Sequence, residues 1–246
     1  MTLTLTFLGS GDAFGSGGRF QACVLARGAG AAFLIDCGAS SLVAMRRYGV
    51  APNDIDAILV SHLHGDHFGG LPFFVLDAQL VSKRTAPLTV AGPSGIEARV
   101  REAMEVLFPG SSQTEQRFAL DFVELPAAVP TALAEVAVTP YAVVHASGAP
   151  AYALRVECAG KVVAYSGDTE WTETLVRAAD EADVFICEAY FYEKQVRHHL
   201  DYRTLMAHRS ELGCRRLIVT HMSADLLSHL AEIDVEYAED GMTVEV

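Results

Sequence analysis

Apolar and polar residues alternate at the start of the chain, where threonines separate apolar side chains over Thr2–Phe7. A period of two is typical of a strand that buries one face. Short apolar runs between glycine, proline and polar residues extend this strand signal along the chain. The pattern predicts strands over 2–7, 22–26, 31–36, 55–60, 88–91, 119–125, 134–139, 141–145, 151–157, 161–165, 183–187 and 215–220.

Helical periodicity appears between several of these strands. One such stretch ends beside Gly49, which suits a helix C-terminus, and another tolerates Pro72 in its first turn. Helices mixed with strands on a β core indicate a layered α/β protein. No low-complexity linker interrupts the pattern, so we expect one domain over residues 1–246. The predicted helices are 40–48, 71–81, 94–108, 171–179, 202–212 and a short one from Asp225.

The two halves of the chain repeat one order of elements. Each half contains a hairpin of strands that ends at an aspartate, Asp36 in the first half and Asp168 in the second. Each then continues through a helix to an apolar strand that ends at a histidine, His62 and His221 respectively. This repetition predicts two related β-rich halves packed face to face, with the functional residues at strand ends along one edge.

Four side chains that can bind metal lie within six positions, directly after a predicted strand, in the segment 62–67 (His-Leu-His-Gly-Asp-His). In an extended turn the first two histidines point the same way, and Gly65 permits a bend that carries the aspartate and the last histidine to the other side. Such a segment can serve two adjacent ions. Imidazole combined with carboxylate suits zinc or a similar ion better than magnesium or calcium. The four candidate ligands are His62, His64, Asp66 and His67.

Further ligands must come from distant parts of the chain, because four residues cannot complete two metal sites. His145 follows the run Tyr-Ala-Val-Val, Asp168 ends a strand in Ser-Gly-Asp-Thr, and His221 ends the strand at 215–220. Taken alone, each is equally typical of a polar residue that caps a strand. Because the two oxygens of an aspartate can each take one metal, Asp168 is the natural bridge between two sites.

These residues together resemble the metallo-β-lactamase superfamily. The resemblance covers nearly the whole chain and is carried by His-x-His-x-Asp-His after a strand, the isolated His145, Gly-Asp-Thr at 167–169 and Thr-His-Met-Ser at 220–223. It implies a four-layer αββα sandwich with two divalent ions at one edge of the sheets, zinc first, with manganese or iron as alternatives. It also implies that the buried Asp36 braces the metal loop. By resemblance, His62, His64 and His145 bind the first ion, Asp66, His67 and His221 bind the second, and Asp168 bridges them.

Within the superfamily, finer details resemble the ribonuclease Z-like branch of phosphodiesterases. They are Gly65 in the motif, Phe-Gly-Gly-Leu-Pro at 68–72, and Glu188-Ala-Tyr-Phe followed by His199. The resemblance implies that His199 donates a proton to the leaving group, since it lies 22 residues before the last histidine ligand. Glu188 is expected to hold the required tautomer of that imidazole. The neighbouring His198 is a less favoured proton donor.

The interval between His145 and Asp168 departs from that branch. Only 23 positions separate the two residues, which leaves no room for the long arm with which ribonuclease Z grips tRNA. The chain also has a formal net charge of -13, from 31 acidic and 18 basic residues, whereas nucleic-acid binding usually rests on many Lys and Arg contacts to phosphate. We therefore expect a small-molecule substrate and no nucleic-acid partner, and a homodimer stays open.

Targeting signals are not evident in the sequence. The start of the chain lacks a basic segment and a continuous apolar run, and no apolar stretch approaches the roughly 20 residues that span a bilayer. The five cysteines are odd in number and mostly lie inside apolar runs, which is typical of reduced core residues. We therefore expect a cytoplasmic protein without a membrane segment.

The sequence thus predicts a dinuclear metal-dependent hydrolase, and most simply a phosphodiesterase for a small or cyclic phosphodiester. In the expected reaction a hydroxide shared by the metals attacks phosphorus, Asp66 orients or deprotonates the water, and His199 protonates the leaving oxygen. A lactone or thioester hydrolase with the same metals is the first alternative. A tRNA 3′-end endonuclease and a non-catalytic metal-binding protein are less favoured, the latter because no cysteine lies in the cluster. No residues that bind a separate cofactor are predicted.

Overall fold

Two sheets of seven strands pack face to face in the computed structural model, which describes residues 2–28 and 30–246. Labels follow the chain order, and both sheets are mixed. The first sheet has the order β14-β1-β2-β3-β4-β5-β6, with β1 (Thr4–Gly9), β2 (Cys23–Gly28), β3 (Ala31–Ile35), β4 (Ala57–Leu59), β5 (Leu88–Gly92), β6 (Leu120–Glu124) and β14 (Thr243–Glu245).

The second sheet repeats this plan, as the two similar halves of the sequence predict. In each sheet a run of antiparallel strands is followed by a run of parallel ones. Its order is β13-β12-β11-β10-β9-β8-β7, with β7 (Thr131–Leu133), β8 (Val136–Ala142), β9 (Tyr152–Cys158), β10 (Lys161–Tyr165), β11 (Val184–Glu188), β12 (Arg216–Thr220) and β13 (Glu236–Tyr237).

Helices cover the outer faces of both sheets. Helices α1, α3 and α4 pack on the first sheet and α5, α6 and α7 on the second, so the layers follow the predicted αββα order, and the predicted fold is confirmed. The helices are α1 (Ser41–Arg47), α2 (Gly65–Phe68), α3 (Leu71–Leu80), α4 (Ile96–Leu107), α5 (Thr174–Ala179), α6 (Tyr202–Ala207) and α7 (Ala224–Leu227). None of the helices in the described part of the chain is long and apolar enough to cross a membrane.

The apolar core lies in three layers because successive residues of a strand face opposite sides of a sheet. On β2, Val24 and Ala26 face the space between the sheets, whereas Cys23 and Leu25 face the outer helices. The parallel strands of both sheets end at one common edge. There the chain leaves β4 toward the segment 62–67, and the other strands deliver the remaining candidate ligands.

Several predicted boundaries are wrong. The strands predicted at 134–139 and 141–145 form the single strand β8, in which Pro140 lies beyond the paired part of β7 and so deprives no neighbour of a hydrogen bond. The helix predicted at 202–212 ends at Ala207 and continues as a separate 3-10 turn at 209–211. The short elements β7, β13, β14 and α2 were not predicted, because two to four residues are too few to establish a period.

Candidate metal centre

All seven residues predicted as metal ligands meet at the common edge of the two sheets. Their nitrogen and oxygen atoms form two adjacent groups, and within each group these atoms lie within 4.8 Å of one another. We call the first the His62 group and the second the Asp66 group. The His62 group contains His62, His64 and His145, and the Asp66 group contains Asp66, His67, Asp168 and His221.

Segment 61–68 presents its ligands through a strand end followed by one helical turn. His64 is extended, and helix α2 then begins at Gly65 and carries Asp66 and His67. The chain turns at Gly65 and carries Asp66 and His67 to the second group, as predicted, but the turn is the start of a helix and not a residue with positive φ. The close approach is instead at Gly70, where a Cβ atom would lie 2.3 Å from the carbonyl oxygen of Gly38. Because Gly38 and Gly70 carry no Cβ atom, helix α2 and the residues that follow β3 pack in direct contact.

The His62 group consists of imidazoles with free nitrogens. His145 Nε2 lies 3.0 Å from His64 Nδ1, and His62 Nε2 lies 3.8 Å from Asp168 Oδ2. Burial lowers the pKa of both His62 and His145, so their rings are neutral and keep a lone pair for a metal. His145 is oriented from behind, because its Nδ1 donates to the carbonyl oxygen of His198 at 2.8 Å.

The Asp66 group mixes carboxylates with imidazoles. Nε2 of His67 and Nε2 of His221 are 3.4 Å apart, and Asp66 Oδ2 lies 3.3 and 3.2 Å from them respectively. Burial alone would lower the pKa of both histidines, but the nearby carboxylates, Asp168 foremost, outweigh it and raise both pKa values. Burial likewise opposes the charge of Asp66, yet the two histidines outweigh it and lower the pKa of that carboxyl.

Asp168 faces both groups with different oxygens. Its Oδ1 lies 3.2 Å from His67 Nε2 and 3.5 Å from His221 Nε2, while its Oδ2 lies 3.8 Å from His62 Nε2 and 4.0 Å from His145 Nε2. The carboxylate therefore spans the gap between the two groups, as the sequence-based assignment of a bridge requires.

Asp36 lies behind the centre and holds the segment that carries the ligands. Its carboxylate accepts hydrogen bonds from the backbone N–H of Ser61 at 2.7 Å, from the hydroxyl of that residue at 2.8 Å, and from His67 Nδ1 at 2.6 Å. The last bond leaves Nε2 of His67 free for a metal. Sequence reasoning found Asp36 through the resemblance. The sequence did not indicate Ser61, because a serine at a strand end is common. It did not indicate the carbonyl of His198 either, because a backbone acceptor has no side-chain signature.

A buried carboxylate and a partly exposed imidazole lie beside the bridge. Glu188 Oε2 is 3.0 Å from His199 Nδ1, and His199 Nδ1 is 3.9 Å from Asp168 Oδ2. Burial, together with the charge of Asp168, raises the pKa of Glu188. The ring of Tyr190 stacks on His199 with centroids 4.7 Å apart, which restricts the rotation of the imidazole. Ser223 precedes helix α7 and donates its hydroxyl proton to the carbonyl of Tyr190.

The chemistry of these donors fits divalent metal. Among the described residues, the buried atoms His62 Nε2 and Asp168 Oδ1 have no hydrogen-bond partner. An unpaired buried polar atom costs about 1–3 kcal/mol, and a metal ion at each group would offset that cost for one of these two atoms. Neutral imidazole and carboxylate are the donors that zinc and similar ions take. The cluster is thus suited to divalent ions.

A cleft of about 770 Å³ opens directly beside the centre. Asp66 and Gly65 form its inner end, and apolar side chains such as Phe68 and Phe73 form its walls. The glycine-rich loop at 10–20 borders this cleft through Ala13. Phe14, the next residue of the loop, is 85% exposed. The cleft has the size of a small-molecule site.

Comparison with known proteins gives related metal enzymes. A ribonuclease Z of Lachnoclostridium phytofermentans is 25% identical over 276 aligned positions, which cover 91% of this chain and 88% of the relative. Human tRNase Z, short form (ELAC1), superposes with a TM-score of 0.78 at 26% identity and covers 98% of both chains. The metallo-β-lactamase-fold protein YhfI of Bacillus subtilis superposes with a TM-score of 0.79 at 22% identity, covering 100% of both chains, and shares the fold.

These relatives confirm the predicted superfamily and branch, and with them the prediction of a metal-dependent hydrolase. The profile of a family described as "Anti-Pycsar protein Apyc1" matches residues 3–235, which is nearly the whole chain and includes every predicted ligand. The chain therefore belongs to the Anti-Pycsar protein Apyc1 family, within the ribonuclease Z-like branch of the metallo-β-lactamase superfamily.

Proposed function

We propose that the protein is a phosphodiesterase that binds two divalent ions, zinc first, and cleaves a small or cyclic phosphodiester. The observation that carries this proposal is the pair of Glu188 and His199 beside Asp168. Hydrolysis of an alkyl phosphodiester expels an alkoxide, which is a poor leaving group and benefits from a proton donor. An imidazole held 3.9 Å from the bridging carboxylate is suited to that task.

The chain's own residues divide the work between binding and proton transfer. When bound, divalent ions would offset phosphate charge and lower the pKa of a water toward neutrality. His62, His64 and His145 would hold one ion, Asp66, His67 and His221 the other, and Asp168 both. Because the pKa of Asp66 is lowered, its carboxylate is ionised at neutral pH and would orient the attacking water. The same lowered pKa makes it a weak base, so the proton of the water would pass to solvent.

His199 would supply the proton to the leaving oxygen. Its Nδ1 hydrogen bonds to Glu188, so Nε2 is the atom that points away from this carboxylate and can donate to a substrate. The side chain of His199 is 24% exposed, which gives a substrate access to it. Coordination of Asp168 would also neutralise one charge that raises the pKa of Glu188, and an ionised Glu188 stabilises the imidazolium.

Three features favour a small substrate over tRNA. The alignment with the ribonuclease Z of L. phytofermentans runs over 276 positions although this chain has 246 residues, so that relative contains segments that this chain lacks. The net charge of -13 opposes the approach of a polyanion. An apolar cleft of about 770 Å³ instead matches one small molecule.

The test is a comparison of turnover on four substrate classes by the zinc-loaded protein. We expect hydrolysis of bis-p-nitrophenyl phosphate and of cyclic phosphodiesters, with much slower hydrolysis of a lactone and of precursor tRNA. A lactone turned over faster than every phosphodiester would instead assign the metals to carbonyl chemistry. Cleavage of precursor tRNA at the highest kcat/KM would restore the processing role.

A further inference from the structure

The glycine-rich loop at 10–20 is closed at its base by one carboxylate from the C-terminal segment. Asp240 Oδ1 accepts hydrogen bonds from the backbone N–H of Ser10 at 2.8 Å and from its hydroxyl at 2.9 Å. Asp240 Oδ2 accepts from the backbone N–H of Phe20 at 2.7 Å. The two oxygens of a single side chain therefore join the first and last residues of the loop.

The same Ser10 contacts the backbone of a predicted metal ligand. Its carbonyl oxygen accepts a hydrogen bond from the N–H of His221 at 3.2 Å and another from the hydroxyl of Thr220 at 3.3 Å. His221 has a φ of 59°, a left-handed conformation that costs a non-glycine residue about 1–3 kcal/mol unless its surroundings impose it. The bond from Ser10 is one of the contacts that impose it.

We propose that Asp240 is a positioning residue for His221. Acting through Ser10, it fixes the backbone of this ligand and thereby the geometry of the Asp66 group. The inference rests on the two-ion centre proposed above. Asp240 lies beyond residues 3–235, the part matched by the family profile, and it has no contact with a ligand side chain among the hydrogen bonds of the described residues.

A carboxylate is required at this position because three donors from two directions must be accepted. Asp240→Asn keeps one acceptor oxygen and can hold only one end of the loop, and Asp240→Ala holds neither. Glu239 provides a matched control in the same turn, since its carboxylate is largely exposed and only reaches Arg19 at 4.0 Å. Asp77 on helix α3 provides a second control away from the centre. It accepts hydrogen bonds from Arg46 of helix α1 and from Ser82, which follows helix α3.

The experiment measures zinc binding to the metal-free protein, in competition with a chelator, together with amide hydrogen exchange of His221 before zinc is added. In wild type we expect two equivalents and a protected amide. Asp240→Ala should weaken one equivalent roughly 10–100-fold, the range seen when a residue behind a ligand is removed, and leave the other unchanged. The amide of His221 should exchange faster, Asp240→Asn should be intermediate, and Glu239→Ala should match wild type.

The controls separate positioning from general loss of stability. Asp77→Ala should lower the melting temperature without changing either zinc affinity. If Asp77→Ala weakens the same equivalent as much as Asp240→Ala does, or if Asp240→Ala keeps both affinities and a protected His221 amide, the positioning role is wrong. If wild type itself never binds a second equivalent, the two-ion proposal fails, and the exchange rate of His221 in Asp240→Ala still decides whether Asp240 holds that residue. Should Asp240→Ala not fold, Asp240→Asn carries the same comparison.

Discussion

The histidines of the centre differ in pKa and exposure because their neighbours differ. His62 is surrounded by other imidazoles and loses its proton through burial, whereas His67 lies against carboxylates that raise its pKa. His199 keeps partial exposure and a buried carboxylate partner. At this scale the residue type sets what chemistry is available, and the environment decides which histidine is suited to bind metal and which is suited to transfer a proton.

His199→Ala should slow the hydrolysis of an alkyl phosphodiester by roughly 10²–10⁴-fold, the usual contribution of an acid–base residue. The same substitution should slow a p-nitrophenyl ester far less, because p-nitrophenolate departs without a proton. Zinc content should stay at the wild-type value, since we assign His199 no role as a ligand, although it lies close to Asp168, Glu188 and His221. An equal loss on both substrates, accompanied by loss of zinc, would make His199 a ligand or a structural residue.

Zinc binding at the Asp66 group should release more protons than binding at the His62 group. The raised pKa values of His67 and His221 favour the protonated form of both imidazoles, and a metal must displace the protons that they hold. Affinity at this group should therefore fall as the pH decreases. Calorimetry in buffers of different ionisation enthalpy would count the protons. A release near zero for both equivalents would contradict the assigned charges.

At the scale of elements, the centre depends on where strands end. The strands leading to the segment 62–67, to Asp168 and to His221 were predictable because their apolar runs are short and clearly bounded. Parallel strands gather their carboxyl ends at one edge, so the ligands could be expected there from the sequence, whereas their division into two groups came from the resemblance. Helix α2 could not be predicted, because its glycine, aspartate and histidine residues are poor helix formers and packing on Gly38 imposes the turn. The C-terminal turn that carries Asp240 was not predicted either, although Asp-Gly at 240–241 is a common turn dipeptide.

Gly65 and Gly70, at the two ends of this short helical segment, should respond differently to alanine. A Cβ atom at Gly70 would lie 2.3 Å from the carbonyl oxygen of Gly38, so Gly70→Ala should cost about 1–3 kcal/mol of unfolding free energy, as overpacking does. At Gly65 a Cβ atom meets nothing within 4 Å, and Gly65→Ala should keep or raise stability by up to about 1 kcal/mol. Urea unfolding of the metal-free variants measures both values, and equal losses would refute the packing argument.

At the scale of the whole molecule, stability and chemistry reside in different places. The three apolar layers run through both sheets, and 51% of the residues are apolar, so we expect the fold to form without bound metal. The candidate ligands collect at one edge, where His221 and Asp36 both adopt positive φ. Such strain is tolerated because the packed sheets fix the chain on either side.

His64→Ala should therefore abolish hydrolysis while leaving the fold intact. We expect activity to fall by roughly 100-fold or more, beyond the loss typical of a residue that only supports a ligand. Circular dichroism of the same sample should match wild type. The half-buried His229, which contacts the carbonyl of Asp225 in helix α7 and the ring of Tyr192, gives a matched control, and His229→Ala should retain activity. Activity above a few per cent of wild type in His64→Ala would remove this residue from the centre.

The two-ion phosphodiesterase is tested most directly by titrating the metal-free protein with zinc while the hydrolysis of bis-p-nitrophenyl phosphate is followed. Seven ligand side chains in two groups, joined by Asp168, exceed what one tetrahedral ion needs. Activity should stay low through the first equivalent and reach its plateau at two equivalents per chain, and Asp168→Ala should lose occupancy of both. A plateau at one equivalent, or full zinc occupancy without hydrolysis of any phosphodiester, would contradict the two-ion phosphodiesterase.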